Sequence, residues 1–136
     1  MSEPVPAMTV TLEWDSALEF TGQAGKHEVG IDGKTYSAPS PMQYVALGVT
    51  GCMGVDIVHI LQKGRHQVRS LRAAFTGERS PVEPKRFTKI ALRFTLGTDA
   101  TPEQVARAIQ LSREKYCSAM SSLREDIEIE TGFTIE

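Results

Sequence analysis

The segment from Ser40 to Gly64 constrains the fold more than any other part of the chain. Ser40 offers a side-chain oxygen suited to an N-cap, and Pro41 suits the first helical position, where no N–H is needed. Apolar residues then return at Met42, Val45, Ala46, Val49, Cys52, Met53, Ile57, Ile60 and Leu61, at intervals of three and four. Lys63-Gly64 supplies the stop. The pattern predicts a helix over 40–64, the most hydrophobic in the chain and therefore its central one. This helix also holds Gly48, Gly51 and Gly54. Together they cost about 3 kcal/mol relative to alanine. Gly48 and Gly51 stand four and one residues before Cys52, so they strip bulk from the surface around its sulfur. A second helix crossing closely, or a ligand needing room at the thiol, would compensate; the two uses are compatible.

The flanking segments read as strands. Met8, Val10, Leu12 and Trp14 alternate with polar residues, the mark of a half-buried strand. Leu18-Glu19-Phe20 follows as a short strand ended by a turn over Gly22–Gly25. His27–Ile31 leads into Asp32-Gly33, a hairpin turn with Lys34-Thr35-Tyr36 returning. Residues 1–38 are thus expected to form a small antiparallel sheet. Val68–Arg79 and Phe87–Leu96 predict a strand pair, the second with Ile90, Leu92, Phe94 and Leu96 on one face and Lys89 and Arg93 on the other. Thr101-Pro102-Glu103-Gln104 opens another helix with a capping-box glutamine. Its stripe runs through Val105, Ile109, Ser112, Tyr116, Ala119, Met120 and Leu123, with a break near Tyr116-Cys117. Ile127, Ile129, Phe133 and Ile135 close the chain as a strand. Helices that do not alternate strictly with strands favour an α+β fold. The reading is a single domain over 1–136: a small sheet (1–38), the central helix (40–64), then strands, helices and a closing strand (68–136).

Composition narrows the function classes. The chain of 136 residues has 15 Lys+Arg against 17 Asp+Glu, a net charge of −2 without the basic surplus of a nucleic-acid binder. Its N-terminus lacks a basic start followed by an apolar run, so no secretory signal is expected. The most apolar stretch, 44–58, is interrupted by Asp56 and falls short of the roughly 18–20 apolar residues of a membrane span. A cytoplasmic protein without membrane or nucleic-acid partners is expected. No phosphate loop, nucleophile elbow or zinc-protease motif occurs, so no cofactor is expected.

The two cysteines, Cys52 and Cys117, carry the remaining information. They are too few for a disulfide scaffold, and with His27, His59 and His66 they show no metal-ligand spacing, so no metal site is expected. Cys52 is either a small buried hydrophobe or a reactive thiol. Cys117 follows Arg113, Lys115 and Tyr116, cations that either lower its pKa or form the solvated face of a helix. His59 lies about 10 Å from Cys52 along the helix, too far to serve as its base. Asp56, one turn after Cys52, either shares its cleft or is a solvated or interface carboxylate.

Ser40-Pro41-Met42-Gln43-Tyr44-Val45-Ala46-Leu47-Gly48-Val49-Thr50-Gly51-Cys52 resembles the cysteine helix of the OsmC/Ohr family, osmotically inducible protein C and the organic hydroperoxide resistance proteins. Leu111-Ser112-Arg113-Glu114-Lys115-Tyr116-Cys117-Ser118 resembles its second cysteine segment. The resemblance covers essentially the whole chain. It implies an OsmC-like fold, with antiparallel sheets around a long cysteine-bearing helix, in an intertwined homodimer. It further implies that Cys52 reduces organic or hydrogen peroxides, that Cys117 resolves the product as a Cys52–Cys117 disulfide, and that an external dithiol reduces it. Met42, Gln43, Gly48, Gly51, Asp56 and Tyr116 are the candidate binding residues around the thiols, for a peroxide or an apolar ligand.

Peroxidase members of the family carry a glutamate just after the helix-opening proline and an arginine in the early glycine-rich turn. Here Met42 and Gln43 stand at the first place, and the turn reads Thr21-Gly22-Gln23-Ala24-Gly25-Lys26. Lys26 would supply a point charge where arginine supplies a planar fork. Arg79, Lys85 and Arg86 are either cations that a partner subunit contributes, candidates by charge alone, or the solvated end of a strand. The rival function is therefore a non-enzymatic small-molecule-binding or redox-sensing protein of the same family.

Overall fold

The computed structural model describes residues 3–136. The elements run β1 (Val10–Ser16), β2 (Glu19–Ala24), β3 (His27–Asp32), α1 (Pro41–Lys63), β4 (Val68–Arg79), β5 (Phe87–Thr98), α2 (Pro102–Leu111), a π-turn (Ser112–Tyr116), α3 (Ser118–Ser121) and β6 (Glu128–Ile135). The fold is α+β. The chain separates into two compact units, residues 1–45 and 46–136, with the boundary inside α1.

In the first unit, β1, β2 and β3 form an antiparallel sheet in that order. Two-residue connections join them, with Ser16 opposite Glu19 and Ala24 opposite His27. The second turn is Gly25-Lys26, where Gly25 adopts φ +61°. Gly22 is therefore a strand residue, buried between Val29 and Leu12, and the turn expected at Gly22–Gly25 shrinks to its last residue. The return strand expected at Lys34–Tyr36 does not form. The buried Asp32 carboxylate instead accepts the N–H groups of Lys34, Tyr36 and Ser37 at 2.8, 3.0 and 3.0 Å, curling the chain into a turn. The half-buried strand is also corrected. β1 begins at Val10, beyond Met8, and Val10, Leu12 and Trp14 are exposed, with no other described element of the first unit covering that face.

Ser40 and Gln43 open α1 with a reciprocal capping box. Gln43 N–H donates to Ser40 Oγ at 3.2 Å, and Ser40 N–H donates to Gln43 Oε1 at 2.9 Å. In the second unit, one stripe of α1 is buried, Val49, Met53, Ile57 and Leu61 at strict four-residue intervals. The remaining apolar surface is incompletely covered among the described residues: Leu47 and Val55 are exposed, and Cys52 and Ile60 are half-buried. Over its 23 residues α1 is long and apolar enough to cross a membrane by length and composition, against the short interrupted stretch read from sequence.

β4, β5 and β6 form the second sheet. β4 pairs antiparallel with β5, whose Ile90, Leu92, Phe94 and Leu96 are buried as the alternation predicts. β6 runs parallel to β5, the exception to the expected antiparallel sheets. The cause is the helical crossover through α2, which returns the chain to the starting end of β5. α2 starts as expected, on a Thr101–Gln104 capping box. It buries Val105, Ala108 and Ile109, which join the α1 stripe and the β5 face in the core of this unit.

Candidate thiol site

Cys52 and Asp56 stand one turn apart on α1 and so share a face of that helix. Cys117 reaches them from the other end of the unit through the π-turn. At the end of α2 the helix widens, and Cys117 N–H donates to Ser112 C=O at 2.7 Å, a five-residue span in place of the α-helical four. Five residues along an α-helix would point away from Ser112; the wider turn brings Cys117 back to the same side. Ser112, fully buried, donates its hydroxyl to Asp56 Oδ2 at 2.8 Å. The result is a cluster in which Cys52 Sγ, Cys117 Sγ and an Asp56 carboxylate oxygen all lie within 4.8 Å of one another. Residues 65 positions apart in the chain thus become neighbours. Both thiols are free.

The two thiols differ in setting. Cys52 is half-buried, whereas Cys117 is 1% exposed. Burial pushes the Cys117 thiol from its usual 9.0 up to about 11. The Cys52 sulfur and the Asp56 carboxylate press in the same direction, and the Met120 N–H, donated to Cys117 Sγ at 3.3 Å, partly opposes them. That N–H contact makes Cys117 the N-cap of α3. The basic residues around Cys117 do not set its charge: Arg113 and Lys115 lie on the exposed face, with Lys115 Nζ 5.3 Å from the Tyr116 ring centroid.

Among the other sequence-derived candidates, Gly48 and Gly51 are exposed, and a Cβ at either would meet nothing within 4 Å. Among the described residues of this unit nothing fills the notch. Gly51 joins Gly54, Val55, Val58, Val68 and Leu71 along a cleft of about 660 Å³ between α1 and β4. Tyr116 and Asp56 line a separate cleft of about 310 Å³ with His59, Ile60 and Lys63. Gln43 is held by its capping role, and Met42 lies half-buried beside it in the first turn of α1. Arg79, Lys85 and Arg86 are used locally: Arg79 Nε donates to Lys85 C=O at 2.7 Å, Lys85 lies 4.0 Å from Glu83, and Arg86 lies 3.6 Å from Asp126.

Ser112 is the residue that sequence reasoning missed. Its signal was present: a polar side chain on the apolar stripe of α2. The cluster also offers two sulfurs and one oxygen to a metal, a grouping invisible in the spacing. It is one ligand short of the closed four-ligand set of structural zinc.

The family model for OsmC-like proteins matches residues 32–132. The chain belongs to the OsmC-like protein family. Protein YhfA of Escherichia coli (strain K12) is 38% identical to this OsmC-like chain over 131 residues, covering 94% of it and 98% of YhfA. A hypothetical protein from Aquifex aeolicus VF5 has the same fold, with a TM-score of 0.89 at 24% identity over 97% of this chain and 98% of the other. An organic hydroperoxide resistance protein OsmC from Legionella pneumophila, also described as a predicted redox protein, gives a TM-score of 0.72 at 12% identity over 97% and 99% of the two chains. At these identities the two structures establish the OsmC-like fold alone.

Proposed function

We propose that the protein is a thiol-dependent reductant of organic or hydrogen peroxides, with Cys52 attacking and Cys117 resolving. The observation that carries this reading is the meeting of the two free thiols, one accessible and one buried, in a single cluster. Cys52 as thiolate attacks the peroxide oxygen; the O–O bond breaks, the leaving oxygen takes up a proton and departs as alcohol from an organic peroxide or as water from hydrogen peroxide, and Cys52 becomes a sulfenic acid. Cys117 then displaces the sulfenic oxygen as water and closes the disulfide. An external dithiol reduces that bond, becoming a disulfide itself. The open notch at Gly48 and Gly51, just before the thiol on α1, gives a peroxide room to approach. The hydroperoxide resistance of the Legionella relative is consistent with this chemistry.

The reading includes a homodimer in a reducing, cytoplasmic setting. A second copy would cover the exposed Leu47 and Val55 of α1 and Val10, Leu12 and Trp14 of β1. Light scattering behind size exclusion, without detergent, should give twice the 14.9 kDa chain mass.

The functional test is turnover of cumene hydroperoxide with dihydrolipoamide. Wild type should outpace free cysteine; Cys52→Ser should abolish turnover, and Cys117→Ser should stop after one sulfenic acid per chain. Turnover by Cys52→Ser at the wild-type rate would overturn the assignment.

A further inference from the structure

Resolution of a sulfenic acid requires a thiol to lose its proton while an oxygen gains one. Cys117 is poorly placed to ionise unaided, being buried against a second sulfur and a carboxylate. Asp56 is the oxygen acid of the cluster, within 4.8 Å of both sulfurs. Its orientation is set from two sides. α1 fixes it one turn from Cys52, and the buried Ser112 hydroxyl donates to its Oδ2 at 2.8 Å, leaving the carboxylate with further lone pairs for a proton. The π-turn connecting Ser112 to Cys117 ties the orienting hydroxyl and the resolving sulfur to one hydrogen-bonded turn of backbone.

We propose that Asp56 is the proton carrier of disulfide closure, taking the proton of Cys117 and delivering it to the hydroxyl that leaves Cys52. The proposal rests on the peroxide-reducing reading above. The balance is complete within the cluster. The Cys117 S–H bond breaks as the S–S bond forms, the S–O bond of the Cys52 sulfenic acid breaks, and the oxygen departs as water with its own hydrogen and the relayed proton. Asp56 ends in the state in which it began. The cleft of about 310 Å³ that Asp56 lines with His59, Ile60, Lys63 and Tyr116 gives the water an exit.

The role separates the two half-reactions, so the test times each. The reduced full-length protein is mixed with one equivalent of cumene hydroperoxide and quenched at intervals. Sulfenic acid is read as its dimedone adduct and disulfide by intact mass. Asp56→Asn retains an oxygen acceptor for Ser112 but cannot carry the proton. The expected result is accumulated sulfenic acid, with closure slowed on the order of 10²-fold, the usual scale of lost general acid–base catalysis. Asp56→Glu should recover part of the closure rate, which a merely structural loss would not allow. Glu125→Gln removes an exposed carboxylate outside both the cluster and the cleft and should close at the wild-type rate. Wild-type closure in Asp56→Asn, or equally slow closure in Glu125→Gln, would overturn the role of Asp56. Absence of sulfenic acid and disulfide in wild type would overturn the peroxide reading, and this step with it.

Discussion

The contrast between the two thiols leads to a quantitative prediction about Cys117. A thiol raised from 9.0 to about 11 carries about 100-fold less thiolate at any pH well below 9, since a tenfold change accompanies each pH unit. The thiolate is the species that alkylates. In Cys52→Ser, Cys117 is the only thiol left, and burial, the largest cause of its shift, persists. Iodoacetamide labelling of this variant, followed by intact mass, should run slower at pH 7 than an unperturbed cysteine, by up to about 100-fold since the contribution of Cys52 to the shift is gone, with further slowing from poor access. The rate should climb tenfold per pH unit through pH 9 without levelling. The same shift links to stability. Because the folded state holds this proton more tightly, the contribution is intact below 9.0 and is lost as pH rises toward 11. Urea midpoints of wild type should therefore fall relative to Cys117→Ser across that alkaline window. Serine suits the comparison because its hydroxyl can keep the N-cap bond to Met120. A labelling rate that levels off by pH 9, or parallel urea profiles, would refute the argument.

Two further predictions test the scaffold. A Cβ on Gly77 would fall 2.5 Å from the Phe87 ring and 2.8 Å from that of Phe75, which pack edge to face at 5.3 Å. Gly77→Ala should cost about 1–3 kcal/mol as overpacking, read as a lower urea midpoint; an unchanged midpoint would show that the pair shifts freely. The Lys34 and Ser37 N–H groups hold the Asp32 carboxyl below its usual 3.8. Asp32→Asn should thus lower the thermal midpoint at neutral pH, by a margin that shrinks as pH falls below 3.8 and the wild-type group protonates; a margin independent of pH would contradict this.

What the sequence revealed follows the reach of each interaction. Ser40 with Gln43, and Thr101 with Gln104, are capping signals four residues long, and both helices start where those residues predict. Ile90 to Leu96 alternates because one face of β5 is buried, and that period is written locally. The failures are non-local or competitive. Lys34–Tyr36 looked like a returning strand, but Asp32 claims their N–H groups first. The parallel pairing of β6 is decided by a crossover, and the exposure of Val10, Leu12 and Trp14 by the lack of a packing layer on β1 within the described first unit. At the site, each cysteine could be singled out by its own neighbours, but their pairing was available only through family resemblance. The π-turn that delivers Cys117 leaves no periodic trace, and Ser112 showed only as a polar residue on an apolar stripe.

The central claim, that Cys52 and Cys117 form one redox site, is tested most directly by peptide mapping after a single equivalent of cumene hydroperoxide. The account predicts one new cross-link, joining the Cys52 and Cys117 peptides, in a protein lighter by two hydrogens and restored by dihydrolipoamide. Cys52 driven to sulfinic acid while Cys117 stays a free thiol would contradict it.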